Sequence, residues 1–276
     1  MNISDILTSG GDEKHFSFEV LPPLKGTGTE RLFSTIEKFR DFNPAYINIT
    51  THHSEYVYRE LENGQYERLR VRRRPGTVAI AAAIQNKFGV PVIPHIICSG
   101  AHTTDLIEQV NRFNEGFFND GTPIKNPGKK FHYGVACYPE KHEEALNMEM
   151  DLKYLKMKQD MGADYAVTQL FYDNRKYFRF VEKAREMGIT IPIVPGIKPL
   201  AKLSQLTVVP RVFRCDFPQE LAVEALKCKT DDDARQLGIE WSTEQCRQLY
   251  KAGVNNIHFY TVSAVDSVRE VARRLL

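Results

Sequence analysis

Short apolar runs rich in β-branched residues alternate along the chain with longer segments whose apolar positions recur at helical spacing. Seven runs are predicted to be strands, at residues 16–21, 46–51, 91–98, 132–138, 165–171, 191–197 and 256–262. Six amphipathic segments are predicted to be helices, at residues 30–42, 77–88, 104–113, 148–161, 175–187 and 242–252. This alternation is typical of repeated βα units around a parallel sheet and indicates an α/β fold.

The pattern changes between the third and fourth predicted strands. The third strand leads almost directly into the helix at 104–113, and an irregular connector rich in Gly, Pro, Asn and Lys follows at 119–130. We expect this connector to be a surface excursion. Since no further strand with its own helix intervenes, an eight-stranded barrel would be one βα unit short at this point.

Length and composition fit one globular domain with a substantial core. The chain has 276 residues, and α/β barrels occupy about 250 residues as a single unit. Hydrophobic residues make up 42% and charged residues 26%, which is ordinary for a globular protein. The formal net charge of +2 gives no broad field to attract nucleic acid or an anionic membrane, so neither is expected and a small-molecule partner is favoured.

The N-terminal residues and the cysteines indicate a cytoplasmic protein. Residues 1–15 lack the basic start and apolar core of a signal peptide, and no apolar run approaches the roughly 20 residues needed to cross a bilayer. The cysteines are far apart, odd in number and without a Cys-x-x-Cys pair, and we expect reduced, mostly structural thiols at Cys98, Cys137, Cys215, Cys228 and Cys246.

An acidic residue, Glu19, lies within the first predicted strand, which two prolines end. In parallel α/β barrels the active site lies at the carboxyl ends of the strands, and an apolar setting favours a protonated carboxyl group. Glu19 is therefore a candidate proton donor. The alternative is a glutamate that turns outward and caps a loop, and strand position alone does not decide between the two.

Polar side chains also end other predicted strands. Thr50 is followed by His52 and His53, but these histidines do not predict a metal site, because no third ligand lies at a suitable spacing and strand neighbours point to opposite faces. His95 fits either a core histidine or a ligand contact. Gln169 is an amide inside an apolar run and requires a hydrogen-bond partner, in the protein or in a ligand.

Three further features narrow the class of protein. The turn at 195–199 fits either a tight connection or a close approach of backbone to a ligand. The basic run at 70–75 fits either a phosphate clamp or, as we expect, a solvated loop before the helix. It is not interleaved with aromatic residues as a nucleic-acid site would be. Neither a P-loop nor a Gly-x-Gly-x-x-Gly motif is present, so a Rossmann dinucleotide site is disfavoured.

Taken together, the strand-end segments resemble those of methylenetetrahydrofolate reductases, in the same order and at similar spacing over nearly the whole chain. The matching segments are 18–23, 49–52, 94–95, 136–142, 168–171, 195–197 and 258–261. The resemblance implies a (β/α)8 TIM-type barrel, with residues 1–276 forming a single catalytic domain and no regulatory domain. It also implies a homo-oligomer.

The resemblance further implies a flavin-dependent oxidoreductase. Such an enzyme binds FAD non-covalently and reduces 5,10-methylenetetrahydrofolate to 5-methyltetrahydrofolate with NADH or NADPH, in one-carbon metabolism and methionine synthesis. The expected kinetics are ping-pong, with the nicotinamide giving a hydride to the flavin and leaving before the folate receives that hydride. The sequence does not separate NADH from NADPH.

Individual residues take expected roles from the resemblance. Glu19 is expected to be the catalytic acid that assists opening of the folate's imidazolidine ring. Gln169 is expected to bind the pterin, and Tyr260 is expected to lie near the edge of the flavin and the substrate. The expected flavin contacts are Thr50, His95, Ala136, Tyr138, His142, Asp151 and Lys158. The last two are seven residues apart on a predicted helix, hence on one face.

Two departures from the family pattern matter. Met157 stands where some relatives have an arginine, so that contact is not expected here. The family's fourth strand, with an Arg-Gly-Asp motif whose aspartate lies by the flavin, has no counterpart near Gly100 and Ala101. About 40 residues are missing, roughly one βα unit plus a loop. Either the chain is a shortened form of the natural protein, or the protein lacks this unit; in the second case we expect weak FAD retention and poor turnover.

Two other functions remain open on the sequence. One is a non-catalytic or flavin-deficient homologue that binds folate or partner subunits. The other is a different barrel enzyme that uses Glu19 as an acid and Lys198 as an amine nucleophile. A yellow protein that bleaches with NADH distinguishes the reductase from the first, and borohydride trapping of a substrate imine would support the second.

Overall fold

The computed structural model describes residues 3–8, 13–51, 55–97 and 103–276. The strands in these ranges are β1 (His15–Val20), β2 (Tyr46–Ile49), β3 (Glu55–Glu60), β4 (Tyr66–Val71), β5 (Val92–Pro94), β6 (Gly134–Cys137), β7 (Tyr165–Thr168), β8 (Ile193–Val194), β9 (Gly196–Ile197) and β10 (Asn256–Tyr260). The helices are α1 (Ile3–Thr8), α2 (Glu30–Glu37), α3 (Thr77–Phe88), α4 (Thr103–Asn114), α5 (Met148–Asp160), α6 (Asn174–Glu186), α7 (Gln205–Phe213), α8 (Gln219–Ala225), α9 (Asp231–Lys251) and α10 (Val265–Leu275), with a 3₁₀ turn at Arg40–Phe42.

The chain divides into two compact units. The smaller unit is Ser17–Ile97, and the larger unit is Met1–Phe16 together with Cys98–Leu276. Both alternate strands with helices, and the strand pairs that follow are parallel apart from one hairpin. The predicted α/β fold with parallel sheets is therefore confirmed. His52, His53, Cys98, Gly100 and Ala101 lie outside the described residues.

In the smaller unit, β2 pairs in parallel with β1 on one side and with β5 on the other. The register places Glu19 opposite Asn48 and Asn48 opposite Ile93. One face of this sheet packs on α2 and α3 through a buried apolar cluster: Val20, Leu32, Ile36, Ile47, Ile49, Ile80, Ala81 and Ile84. Because side chains alternate between the two faces of a strand, Glu19 and Asn48 lie on the face that turns away from these helices.

The antiparallel hairpin of β3 and β4 was not predicted. Its register runs from the pair Glu55–Val71 to the pair Glu60–Tyr66, and the turn contains Gly64 with φ 75°. Asn-Gly between runs that alternate apolar and polar residues is a strong hairpin signal, which the sequence does contain. The expected loop at 70–75 is correspondingly wrong at its start, since Arg70 lies in β4.

The larger unit contains a parallel sheet in the order β6-β7-β8 and a parallel pair of β9 and β10. One strand predicted at 191–197 is two strands in the structure, interrupted at Pro195. Proline has no N–H to donate to a ladder, but its carbonyl accepts a hydrogen bond from His258 N at 3.0 Å. β8 pairs with β7 and β9 pairs with β10, so the interruption separates the two pairings.

The C-terminal helices differ most from the prediction. α9 begins eleven residues before the predicted helix at 242–252, and Ala234, Gly238 and Ile239 in its first half are buried. Its start is nevertheless marked by a capping box, in which Thr230 Oγ1 accepts from Asp233 N at 3.1 Å and Asp233 Oδ2 accepts from Thr230 N at 2.9 Å. α10 was missed although Val268, Val271, Ala272 and Leu275 recur at helical spacing and are buried.

Two expectations from composition concern thiols and membranes. Cys137, Cys215, Cys228 and Cys246 are free thiols, as predicted. Among the described residues, no helix combines the length and the apolar character needed to span a bilayer.

Candidate active site

Glu19 lies in the smaller unit on the polar face of the sheet, near the carboxyl end of β1. The residue is buried, with 8% of its surface exposed. Its Oε2 atom lies 3.7 Å from Nδ1 of His95. The alternative of a glutamate that turns outward to cap a loop is therefore wrong, and the candidate proton donor sits beside a second titratable group.

His95 follows β5 and is held by its backbone. Its N–H donates to the Ile49 carbonyl at 2.9 Å, and its own carbonyl accepts from the hydroxyls of Thr51 and Thr77, each at 2.8 Å. Burial lowers the pKa of the imidazole to about 4. At neutral pH the ring is uncharged, so its 3.7 Å contact with Glu19 is neither an ion pair nor short enough for a hydrogen bond.

Asn48 lies within β2, and Thr50 follows directly after the strand. The Thr50 N–H donates to the Val20 carbonyl at 3.0 Å, which extends the ladder past the strand end. Asn48 is 3% exposed, and sequence reasoning missed it. The signal was the one that identified Gln169, a side-chain amide inside an apolar strand.

In the larger unit, the segment after β6 brings several predicted residues together. The rings of Tyr138 and His142 meet edge to face with centroids 4.6 Å apart. The His142 N–H donates to Asp151 Oδ2 at 2.8 Å. Burial raises the pKa of the Cys137 thiol, and the ammonium group of Lys158 opposes that rise. Asp151, Lys158 and the end of β6, where the Ala136 side chain is exposed, are thus neighbours.

The conformation of this segment is fixed by residues that sequence reasoning did not single out as functional. Lys141 has φ 79°, and its Nζ donates to the carbonyls of His142 at 2.8 Å and Ala145 at 2.5 Å. Glu140 accepts from Lys176 Nζ at 2.6 Å and from Asp216 N at 3.0 Å. Burial raises the pKa of Glu140, against the effect of the lysine. Both residues belong to the 136–142 segment that resembles the family.

Gln169 follows β7 and uses part of its hydrogen-bonding capacity inside the protein. Its N–H donates to the Cys137 carbonyl at 2.8 Å, and its side-chain Oε1 accepts from Leu170 N at 2.9 Å. The expected partner of the amide is thus partly found in the protein. The side-chain NH₂ group makes no hydrogen bond to the described residues and can donate to a ligand.

Tyr260 ends β10 and is tied to the neighbouring strand ends. Its hydroxyl donates to the Thr168 carbonyl at 2.6 Å, and the Thr168 hydroxyl accepts from Gly196 N at 2.9 Å. A Cβ atom on Gly196 would fall far inside van der Waals contact with the Thr168 carbonyl and the Tyr260 ring. The turn at 195–199 is therefore a close approach between strands, where only glycine fits.

The alternative amine nucleophile, Lys198, is buried in the larger unit, and its Nζ donates to the Val262 carbonyl at 2.5 Å. The ten predicted site residues fall into two groups. Glu19, Thr50 and His95 belong to the smaller unit, and the other seven belong to the larger unit. In each unit most of these side chains lie at or just after the carboxyl ends of parallel strands, which is where α/β proteins bind ligands. Fold and candidate site define an α/β protein with polar and aromatic side chains at the ends of its parallel strands.

Comparison with known proteins gives the particular family. The family model described as methylenetetrahydrofolate reductase matches residues 3–117 and 122–276. The chain is 28% identical to "Methylenetetrahydrofolate reductase 1" of Schizosaccharomyces pombe over 307 aligned positions, which cover 100% of this chain and 48% of the relative. It is 26% identical to "5,10-methylenetetrahydrofolate reductase" of Escherichia coli over 273 positions, which cover 91% of this chain and 86% of the relative. The chain belongs to the methylenetetrahydrofolate reductase family, and it spans about half the length of the S. pombe relative.

One solved structure shares the fold. It is an uncharacterized protein from Clostridium thermocellum that binds two copies of 5-methyl-5,6,7,8-tetrahydrofolic acid. The TM-score is 0.58 at 14% sequence identity, over 95% of this chain and 94% of the other. This likeness concerns the fold alone.

His95 should make the free energy of unfolding fall as the pH is lowered from about 6.5 to about 4. The folded protein holds the ring neutral down to a pKa of about 4, whereas the unfolded chain protonates near 6.5, so the unfolded state binds the extra proton in this window. Urea unfolding at about pH 7 and about pH 4.5 measures the loss. We expect the unfolding free energy of His95→Gln to fall less between these two pH values than that of the wild type. Equal falls in the two proteins would contradict the lowered pKa of His95.

Gly196→Ala should lower the unfolding free energy by about 1–3 kcal/mol, because the new methyl group must displace either the Thr168 backbone or the Tyr260 ring. The matched control is Gly128→Ala, where an added Cβ meets no atom within 4 Å. Thermal unfolding of both variants measures the difference. A Gly196→Ala protein as stable as its control would show that the strands can separate without cost.

Proposed function

We propose that this protein reduces 5,10-methylenetetrahydrofolate to 5-methyltetrahydrofolate with NADH or NADPH as the electron donor. One observation supports this most directly. The buried carboxyl group of Glu19 lies beside the neutral ring of His95, in a chain that belongs to the methylenetetrahydrofolate reductase family. Acid assistance to a leaving amine is the step for which a protein side chain is needed in this reaction.

Glu19 has the role of proton donor in this proposal. The methylene carbon of the substrate bridges two nitrogens, and protonation of one nitrogen breaks its bond to that carbon. The other nitrogen then forms an iminium ion, and a hydride from the reductant converts the iminium carbon to a methyl group. One proton and one hydride are consumed. His95, being neutral, places no positive charge beside Glu19 that would hold it as a carboxylate.

Gln169 and Tyr260 have the role of substrate contacts. The hydrogen bond from Leu170 N uses the side-chain oxygen of Gln169. The NH₂ group of the same amide can therefore donate to an acceptor on the pterin. The Tyr260 hydroxyl is occupied by the Thr168 carbonyl, so this residue offers its ring rather than its hydroxyl. A fixed aromatic ring suits a flat heterocycle.

FAD is the proposed cofactor, and it supplies hydride transfer between the nicotinamide and the folate. The residues fit a group with phosphates, because Lys158 is partly buried and forms no ion pair with any described residue. In the larger unit the proposed contacts are Ala136, Tyr138, His142, Asp151 and Lys158, and in the smaller unit they are Thr50 and His95. The aromatic contact of Tyr138 with His142 and the bond from His142 N to Asp151 hold that loop in place.

The finer architecture proposed is a single (β/α)8 barrel domain from which the fourth βα unit is absent. The barrel is what the family membership and the alternation of parallel strands with helices favour. The proposed absence rests on the sequence alone, in which the family's Arg-Gly-Asp segment has no counterpart near Gly100 and Ala101.

A second candidate function follows from the same absence. A homologue without the fourth unit lacks the family's flavin aspartate and would bind folate without turnover. The two candidates differ in whether the protein holds FAD. The flavin absorbance of the purified protein and its rate of folate reduction therefore distinguish the two candidate functions.

Glu19→Gln should slow the formation of 5-methyltetrahydrofolate by about 10²–10⁴-fold. The amide has the shape of the carboxylic acid, but its N–H is too weak an acid to protonate the substrate nitrogen. Bleaching of FAD absorbance by NADH should proceed at the wild-type rate, since that step needs no proton from Glu19. The control is Glu13→Gln, an exposed position. Undiminished folate reduction in Glu19→Gln would exclude Glu19 as the acid.

The proposed absence of one βα unit and its aspartate predicts that the purified chain of 31.7 kDa loses FAD during gel filtration. The measurement is the ratio of flavin to protein absorbance before and after the column, with the intact mass determined on the same sample. Stoichiometric FAD that survives the column at this mass would refute the proposed effect of the missing unit.

A further inference from the structure

Asn48 is a buried amide whose side-chain oxygen accepts no hydrogen bond from the described residues. The residue is 3% exposed, and its Oδ1 atom has no hydrogen-bond partner among the described residues. Buried side-chain polar atoms in proteins nearly always have a partner, because an unpaired acceptor loses its water without compensation. A leucine has the same branched shape, is somewhat larger, and would carry no unpaired acceptor.

A second buried asparagine shows what a structural amide looks like in this fold. Asn174 is 5% exposed, and its Nδ2 donates to the Gln245 carbonyl at 3.0 Å and to Gln248 Oε1 at 2.9 Å. These bonds connect α6 to α9. The Oδ1 of Asn174 also accepts from Gln245 Nε2 at 3.4 Å, whereas the Oδ1 of Asn48 has no hydrogen-bond partner among the described residues.

The position of Asn48 places it with the candidate acid. Its register partners are Glu19 on β1 and Ile93 on β5, and neighbouring strands lie about 4.8 Å apart. Side chains at paired positions of parallel strands point to the same face, and His95 lies two residues beyond Ile93 on that face. The opposite face is filled by the apolar cluster with α2 and α3, so the amide is directed toward the site residues.

We propose that Asn48 is a ligand-binding residue whose Oδ1 accepts a hydrogen bond from a ring N–H of a fused, amide-containing heterocycle. Such a ring presents an N–H beside a carbonyl, which is the edge that a primary amide recognises. The pterin of a folate and the isoalloxazine of a flavin both have this edge. The identity of the ligand rests on the proposed function; the binding role rests on the unused acceptor and its place beside Glu19.

The test compares Asn48→Leu with the matched control Asn174→Leu, using thermal unfolding without ligand and separate titrations with FAD and with 5-methyltetrahydrofolate. Asn48→Leu should unfold at the wild-type temperature or above it, and should weaken binding of one of the two ligands by about tenfold. The ligand that is affected identifies the heterocycle. Asn174→Leu should unfold at a lower temperature, and its folded fraction should bind both ligands as the wild type does.

Asn48→Leu that unfolds at a lower temperature and binds both ligands like the wild type would overturn the proposal. If the leucine variant does not fold, Asn48→Ala, which requires no extra space, is measured in the same titrations, and unchanged affinity for both ligands is again the refuting result. Turnover of the wild type is assayed separately. A wild type that binds the ligands but forms no product refutes the reaction and not the binding role, whereas a wild type that binds neither ligand overturns the binding role.

Discussion

The alternation of faces in the β1-β2-β5 sheet is the constraint on which the candidate site of the smaller unit depends. The helices α2 and α3 need an apolar surface, and Val20, Ile47 and Ile49 provide it on one face. The strands then present Glu19 and Asn48 on the other. A shift of the register by one residue would exchange the two faces. The hydrophobic core of this unit therefore also determines where its polar groups lie.

Burial on the polar face determines the chemistry of these groups. The partly buried His95 ring resists protonation and stays neutral at pH 7, although the carboxyl group of Glu19 lies 3.7 Å away. The hydroxyls of Thr51 and Thr77 fix the backbone at this point, so the ring position follows from hydrogen bonds that do not involve the ring. In the larger unit, hydrogen bonds likewise fix Gln169 and Tyr260 in position. The Gln169 N–H and the Tyr260 hydroxyl each donate to a carbonyl at the end of another strand.

The sequence predicted those parts of the fold in which one periodicity dominates. α3 was predicted with its observed bounds, since its apolar positions are regular and Gly89 ends it in the left-handed conformation. Prediction was wrong where two signals competed. In 191–197 the apolar run concealed the interruption at Pro195. The start of α9 was predicted too late, although Thr230 and Asp233 form a capping box there. The β3–β4 hairpin was missed although Asn63 and Gly64 mark its turn.

The candidate site was predictable where a polar residue breaks an apolar strand, as at Glu19 and Gln169. The contacts among these residues were not predictable, because they depend on register and on loops. The bond from His142 N to Asp151 joins residues nine positions apart, and the salt bridge of Glu140 with Lys176 spans 36 positions. Asn48 breaks an apolar strand in the same way, but its place beside Glu19 depends on the strand register, which the sequence does not give.

The close approach at Gly196 has a consequence for how this sequence can diverge. Gly196 contacts Thr168 through its N–H and leaves room for the Tyr260 ring, whose hydroxyl binds the Thr168 carbonyl. A larger residue at 196 becomes acceptable only together with a smaller ring at 260, and loss of the hydroxyl at 168 leaves the Gly196 N–H without its acceptor. Gly196 lies 28 residues after Thr168 and 64 residues before Tyr260 along the chain. We therefore expect a substitution at one of these three positions to be accompanied by a compensating substitution at another.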